Sequence, residues 1–167
     1  MTFLSPMPPS SFASYREASV TGYADDNIAS GRWPESGALD RACAEFDRNL
    51  PLGVATPDNF IFEINDEESD AVVGVIWFAV VERSGVKSAH IFDIEIKPQY
   101  RRRGHARAAF RAIEEEVKAL GLSAIGLHVF WHNAHARNLY ASLGYAETGV
   151  QSSRSAVRYE PGCHGEQ

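Results

Sequence analysis

Only two cysteines, Cys43 and Cys163, occur in the 167 residues, with no metal-ligand or redox spacing between them. That scarcity argues against a disulfide framework and fits reduced, cytosolic thiols. Long apolar runs are missing too. The longest, AVVGVIWFAVV from Ala71 to Val81, falls far short of the ~20 residues a membrane helix needs. The opening MTFLSPMPPSSF has neither a basic region nor a long apolar stretch, so no secretory signal is read there. Positive charge is scarce: 16 Lys and Arg against 22 Asp and Glu give a formal net charge of −6. Nucleic-acid-binding domains are usually strongly basic, so neither that partner nor a membrane is expected. No repeat, low-complexity tract or linker appears, which leaves one domain, 1–167, with the cytoplasm as its expected compartment.

What is present is material for a core, since 44% of the residues are hydrophobic. The prolines Pro6, Pro8 and Pro9 make an irregular lead. From Ser11, the spacing of Phe12, Tyr15, Ser19, Val20, Tyr23 and Ala24 predicts a helix that stops at ASGRWP. A second helix carries Leu39, Ala42, Cys43, Phe46 and Leu50 on one stripe, with Ser36 as its expected N-cap. NFIFEIN, AVVGVIWFAVV and SAHIFDIEI then read as three strands of an antiparallel meander, separated by the turns DEESD and RSGVK. After them the period lengthens. Ala106, Ala109, Phe110, Ile113, Val117 and Leu120 draw a helix face closed by Gly121. SAIGLHVFW predicts another strand, Asn133 caps a last helix closed by Gly144, and the tail from Tyr145 holds one or two weak strands. A β-α-β unit joined to a meander means an α+β or mixed α/β architecture.

One stretch runs against the acidic total: IKPQYRRRGHARAAF, Ile96 to Phe110. A strand ends there, Pro98 and Gln99 turn the chain, and a helix starts at about Arg103. The first N–H groups of a helix lack intrahelical partners, and the helix dipole adds partial positive charge. Gly104 removes the side chain that would keep a ligand off the backbone, and Arg101, Arg102 and Arg103 add counter-charge. The combination suits phosphate or pyrophosphate. It is neither a Walker A loop nor the G-x-G-x-x-G fingerprint.

The pattern Arg101-x-x-Gly104-x-Ala106, followed by GLHVFWHNAHARNLYASLGY, resembles the GNAT N-acetyltransferase superfamily. That family's pyrophosphate loop reads [RQ]-x-x-G-x-[GA], and its later motif L-x-V-x-x-x-N-x-x-A-x-x-L-Y-x-x-x-G-[FY] is matched approximately. The resemblance is strong from His90 to Tyr145 and weaker before. It implies a central, mostly antiparallel mixed sheet with splayed middle strands, flanked by about four helices. Residues 1–56 would supply a strand and two helices shaping the acceptor site, 57–121 the central strands and loop, and 122–167 the remainder. It further implies acetyl-CoA as co-substrate, its diphosphate held by the main-chain N–H groups of Arg102, Arg103, Gly104, His105 and Ala106, with one arginine free to reach the 3′-phosphate.

Acyl transfer from a thioester to an amine needs a proton acceptor, oxyanion donors and a proton donor for the thiolate. Tyr140, on the same helix face as Asn133, is the expected donor, and by resemblance Asn133 contacts the pantetheine arm. The backbone of Ile94 and Ile96, where FDIEI splays from GLHVF, is the expected oxyanion and pantetheine contact. Glu95 is the favoured base, His128 the second, and Asp93 shares the face of Glu95 unless a bulge intervenes. His128, His132 and His135 satisfy no metal-ligand spacing, so no metal is expected. Trp131 is read as a packing residue or a wall of the acceptor site. Tyr23, Asp25, Asp26, Arg32 and Trp33 lie in or just after the first helix, where a solvated end and a greeting for a cationic amine are both open readings.

The implied reaction is N-acetylation of a small-molecule or peptide amine by direct attack in a ternary complex. Two rivals stand beside it: a non-catalytic acyl-CoA-binding regulatory module, and a nucleotide-binding protein using the helix end for ATP. The serines of GVQSSRSAVRYEPGCHGEQ depart from the apolar last strand of close relatives. That leaves a homodimer formed through this strand open. The acceptor's identity is open as well.

Overall fold

Alternating apolar residues in the middle of the chain and three- to four-residue spacing on either side give one mixed sheet between helices. The computed structural model describes residues 1–147. In chain order it contains β1 (Thr2–Pro6), α1 (Pro9–Ala29), α2 (Ala38–Asn49), β2 (Asn59–Asp66), β3 (Ala71–Arg83), β4 (Val86–Ile96), α3 (His105–Ala119), β5 (Ile125–Leu127) and α4 (Ala134–Ser142). The strands lie in sequence order. Pairing is antiparallel from β1 to β4 and parallel between β4 and β5, which α3 connects. This is the expected mixed α+β fold.

Each face of the sheet has its own core. Under α1 and α2 lie Tyr15, Val20, Ala42, Phe46, Ile61 and Trp77. Under α3 lie Ile64, Ile76, Phe78, Ile91, Phe110 and Ile113, with Phe78 and Phe110 wholly buried. Burying one such large apolar side chain stabilises by about 1.5–3 kcal/mol, so these two layers fix the sheet's orientation.

Two irregularities shape the central strands. Trp77 pairs with Asp93 but Phe78 pairs with Ile91, so Phe92 is an extra residue in β4. Ala89 and Ile91 before this bulge, and Ile94 and Ile96 after it, all pack on the α3 side. Without the insertion, period-two alternation would send the second pair to the opposite face. The other irregularity inserts Val73 opposite the Ile64–Asn65 step of β2. Next to it, a Cβ on Gly74 would sit 2.2 Å from the Glu95 carbonyl oxygen. Only glycine lets β3 and β4 approach this closely. Gly74→Ala is expected to cost about 1–3 kcal/mol, read as a lower urea midpoint with an unchanged slope.

Several local expectations need correction. The amino-terminal lead is not irregular throughout, because β1 pairs along β2. The first helix begins at Pro9 rather than Ser11, since proline suits a first helical position where no N–H partner is needed. Ser36 does not cap α2; Gly37 does, at φ 74, a left-handed conformation that a serine resists. The helix α3 begins at His105, two residues past the expected start, with Gly104 as N-cap. SAIGLHVFW is a strand only over Ile125–Leu127, because beyond Ile91 the bulged β4 no longer runs beside it. Asn133 and the two closing glycines behave as expected. The Asn133 side chain accepts from the Ala136 amide at 3.1 Å, and Gly121 and Gly144 have φ of 74 and 88. The tail strands and Cys163 lie outside the described residues.

Candidate active site

The loop between β4 and α3 presents backbone donors. Among the described residues, none of the amides from Arg102 to Arg107 has an acceptor; the first bonded one is that of Ala108, to the Gly104 carbonyl at 3.0 Å. Gly104 takes φ 87 and a Cβ there would meet nothing within 4 Å, so the space above the helix end is open. Arg102 adopts φ 63, a left-handed conformation uncommon for a side-chain-bearing residue. This run of unpaired N–H groups is what an anionic diphosphate requires.

The arginine side chains contribute less than their number suggests. Arg101 Nε donates to the Ile96 carbonyl at 2.8 Å, and the Arg103 guanidinium lies 5.7 Å from the centre of the Tyr100 ring. The His105 ring points inward. It is buried, its Nδ1 sits 2.9 Å from Thr2 Oγ1, and its Nε2 has no partner. Only the backbone of His105 faces the loop's function. Ala106 follows it in the first turn of α3.

The splay of the sheet lies next to this loop. β4 and β5 pair only at Ala89–Ile125, His90–Gly126 and Ile91–Leu127. From Phe92 to Ile96, β4 keeps β3 on one side and has no strand partner on the other among the described residues. Ile94 and Ile96 therefore lie on an open backbone edge, the kind an extended chain with amides completes.

Four titratable side chains surround the splay. Asp93 turns towards α1, where Tyr15 Oη donates to Oδ2 at 3.0 Å and Ser19 Oγ at 3.3 Å. Burial pushes its carboxyl up to about 6, against those hydrogen bonds and with the Glu95 charge adding to the rise. Tyr140 packs edge-on against Phe110 and beside Tyr145. Burial, with help from the Asp93 charge, lifts its phenol to about 12. Glu95 is exposed on the α1 face and lines a groove of about 490 Å³ beneath the first turns of α1. His128 sits just past the end of β5, exposed, with its ring edge-on to Phe130 at 5.4 Å.

The Asp93 charge thus reaches Tyr140, Glu95 opens to the groove, and His128 stands apart with an aromatic group. That group joins α1 to the connection before α4: Tyr23 lies 5.4 Å from Trp33 and 6.4 Å from Phe130, and Phe130 stacks on His132. His132 Nε2 is 3.4 Å from Asp26 Oδ1, so Asp26 serves this junction. Trp131 is exposed and carries the Arg137 guanidinium at 3.7 Å. The partnership of Asp93 with Tyr15 and Ser19 went unread in the sequence. Asp93 was visible as a carboxylate in an apolar strand, but nothing local points to two hydroxyls on a helix far up the chain.

The model of the Acetyltransferase (GNAT) family matches residues 25–145. The chain belongs to this family. The GNAT chain is 31% identical over 151 residues to YycN of Bacillus subtilis (strain 168), an uncharacterized N-acetyltransferase, covering 90% of this chain and 96% of that one. The crystal structure of YycN superposes with a TM-score of 0.88 at 30% identity, over 95% of this chain and 100% of that one. A shorter similarity, 35% identity over 63 residues, links it to the [ribosomal protein bS18]-alanine N-acetyltransferase of Escherichia coli (strain K12), covering 38% of this chain and 43% of that one. Membership of the GNAT family and the N-acetyltransferase names of these relatives support acyltransferase activity. Among the described residues no group of three or more His, Cys, Asp or Glu side chains could hold a metal, and no helix is long and apolar enough to cross a membrane.

Proposed function

We propose that this protein transfers an acetyl group from acetyl-CoA to a primary amine by direct attack, the acceptor being a small molecule or a peptide amine. The observation that carries the reading is the uninterrupted run of unpaired amides from Arg102 to Arg107 around the open space at Gly104. The residues fit the group: the amides of Arg102 to Ala106 would hold its diphosphate, and the free edge at Ile94 and Ile96 would hold its amide-bearing arm. Arg101 is tied to Ile96, which makes it a brace for the loop. The Asn133 Oδ1 caps α4, leaving its Nδ2 to meet the arm.

Acetyl-CoA, when bound, supplies the thioester carbonyl. Everything else is work for this chain. Glu95, open to the groove, takes the amine proton, and His128 is the alternative acceptor from the far side of the splay. The backbone at Ile94 and Ile96 donates to the developing oxyanion. Tyr140, like any phenol, keeps its proton at neutral pH, burial strengthens that hold, and its hydroxyl has no hydrogen-bond partner among the described residues. It is therefore free to donate to a departing thiolate.

Two measurements test the reading. Wild type incubated with acetyl-CoA and a panel of primary amines should release free thiol with at least one of them; silence across the panel, with tight CoA binding, would favour a regulatory binding module. In calorimetric titration, Gly104→Ala should weaken CoA binding tenfold or more, since its Cβ enters the space reserved for the anion. The free protein should lose only about 1 kcal/mol, the usual cost of a side chain at positive φ. Unchanged affinity would count against the loop as the diphosphate site.

A further inference from the structure

Resting on the acetyltransferase reading, we infer that the acceptor is a dicationic amine: the groove under α1 holds one ammonium at Glu95 and a second at Glu63. The argument starts from register. Glu63 of β2 pairs with Val75 of β3, and Val75 pairs with Glu95 of β4. Directly opposed residues share a face, so both carboxylates stand on the α1 side with Val75 between them. Two interstrand steps set their backbones about 10 Å apart. Both line the same groove of about 490 Å³, roofed by Ser10, Ser11 and Ser14 of α1.

The groove carries two carboxylates, Glu63 and Glu95, against one ammonium, Lys97. Among the described residues neither Glu63 nor Glu95 has an ion-pair partner, although elsewhere Arg16 holds Asp47 at 2.7 Å and Arg137 holds Glu147 at 2.9 Å. Among the described residues Lys97 is the one cation lining the groove, and its ammonium is held at the Val72 carbonyl rather than by either carboxylate. Tyr15 also lines it, but its hydroxyl is committed to Asp93. Two like charges at this separation, facing one cavity, raise its affinity for a ligand with two positive centres and lower it for an anion. A diamine of matching span answers both at once. An amine with a neutral far end leaves Glu63 without a partner.

The test uses the full chain and calorimetric titration at low salt, with diaminohexane and aminohexanol as probes, so that it does not depend on turnover. The two probes have equal length and differ in one charge. Diaminohexane is expected to bind at least tenfold more tightly. Glu63→Gln should erase that difference, bringing diaminohexane down to the affinity of aminohexanol. Equal affinities for the two probes in wild type, or a preference that survives Glu63→Gln, would overturn the inference. Thiol release from acetyl-CoA, measured in parallel, separates the two readings. Release with neutral-tailed amines alone keeps the acetyltransferase and rejects the dication. Tight diamine binding that depends on Glu63, without release, keeps the site and rejects the reaction.

Discussion

Replacing Tyr140 by Phe is expected to lower kcat by about 10–100-fold, to leave KM for acetyl-CoA nearly unchanged and not to unfold the protein. The size follows from the two acidities involved. A phenol lifted to about 12 is a weaker acid than a thiol, whose ordinary value is about 8.5. Complete proton transfer from Tyr140 to the leaving sulfur runs uphill by roughly 5 kcal/mol, so the hydroxyl stabilises the thiolate by donating a hydrogen bond without surrendering its proton. A hydrogen bond to a charged group contributes about 1.5–3 kcal/mol, which corresponds to that range of rates. The ring still packs on Phe110 and Tyr145 in the variant, so the melting temperature should hold. Steady-state kinetics beside a thermal melt checks both halves. A kcat equal to wild type would reduce Tyr140 to a packing residue.

The second large effect concerns pH and stability. Asp93 titrates at about 6 in the folded protein, against 3.8 for an ordinary aspartate, because burial disfavours its charged form. A folded-state pKa above the unfolded one means that folding favours the protonated carboxyl. The resulting stability is complete below about pH 4 and is lost as pH rises through 6. Two pH units correspond to roughly 3 kcal/mol. Asp93→Asn removes the titration while keeping an oxygen to accept from Tyr15 and Ser19. Urea unfolding at intervals from pH 4.5 to 8 should therefore show wild type losing about 2 kcal/mol relative to the variant across the window. Parallel curves would mean that Asp93 ionises freely under α1. The variant also takes a negative charge away from Tyr140, so the phenol pKa should fall towards its ordinary value.

Which parts of this could be read in the sequence depends on how local their causes are. The Asn133 cap and the glycines that close α3 and α4 were legible because each is set within one helical turn. Gly104 beside three arginines was legible for the same reason, and with it a helix start whose first amides are unpaired. Ser36 failed as a cap because the chain needs positive φ one residue later, and Gly37 provides it. The length of β5 was overread, since Leu127 is its last residue only because β4 bulges at Phe92 and turns away. A strand's own residues do not record where its neighbour leaves. Distance hides the remaining features. Tyr15 and Ser19 reach Asp93 across more than seventy positions, and Glu63 joins Glu95 only through the register of two strand pairs. The Arg101 side chain looked like counter-charge for an anion, whereas it braces the Ile96 carbonyl, and the burial of the His105 ring against Thr2 went unread.

The measurement that bears most directly on the account is a crystal structure of the protein with acetyl-CoA bound. The account predicts diphosphate oxygens within hydrogen-bonding distance of the amides between Arg102 and Ala106, with the thioester sulfur beside the Tyr140 hydroxyl. Diphosphate bound elsewhere, with those amides still unpaired, would contradict it.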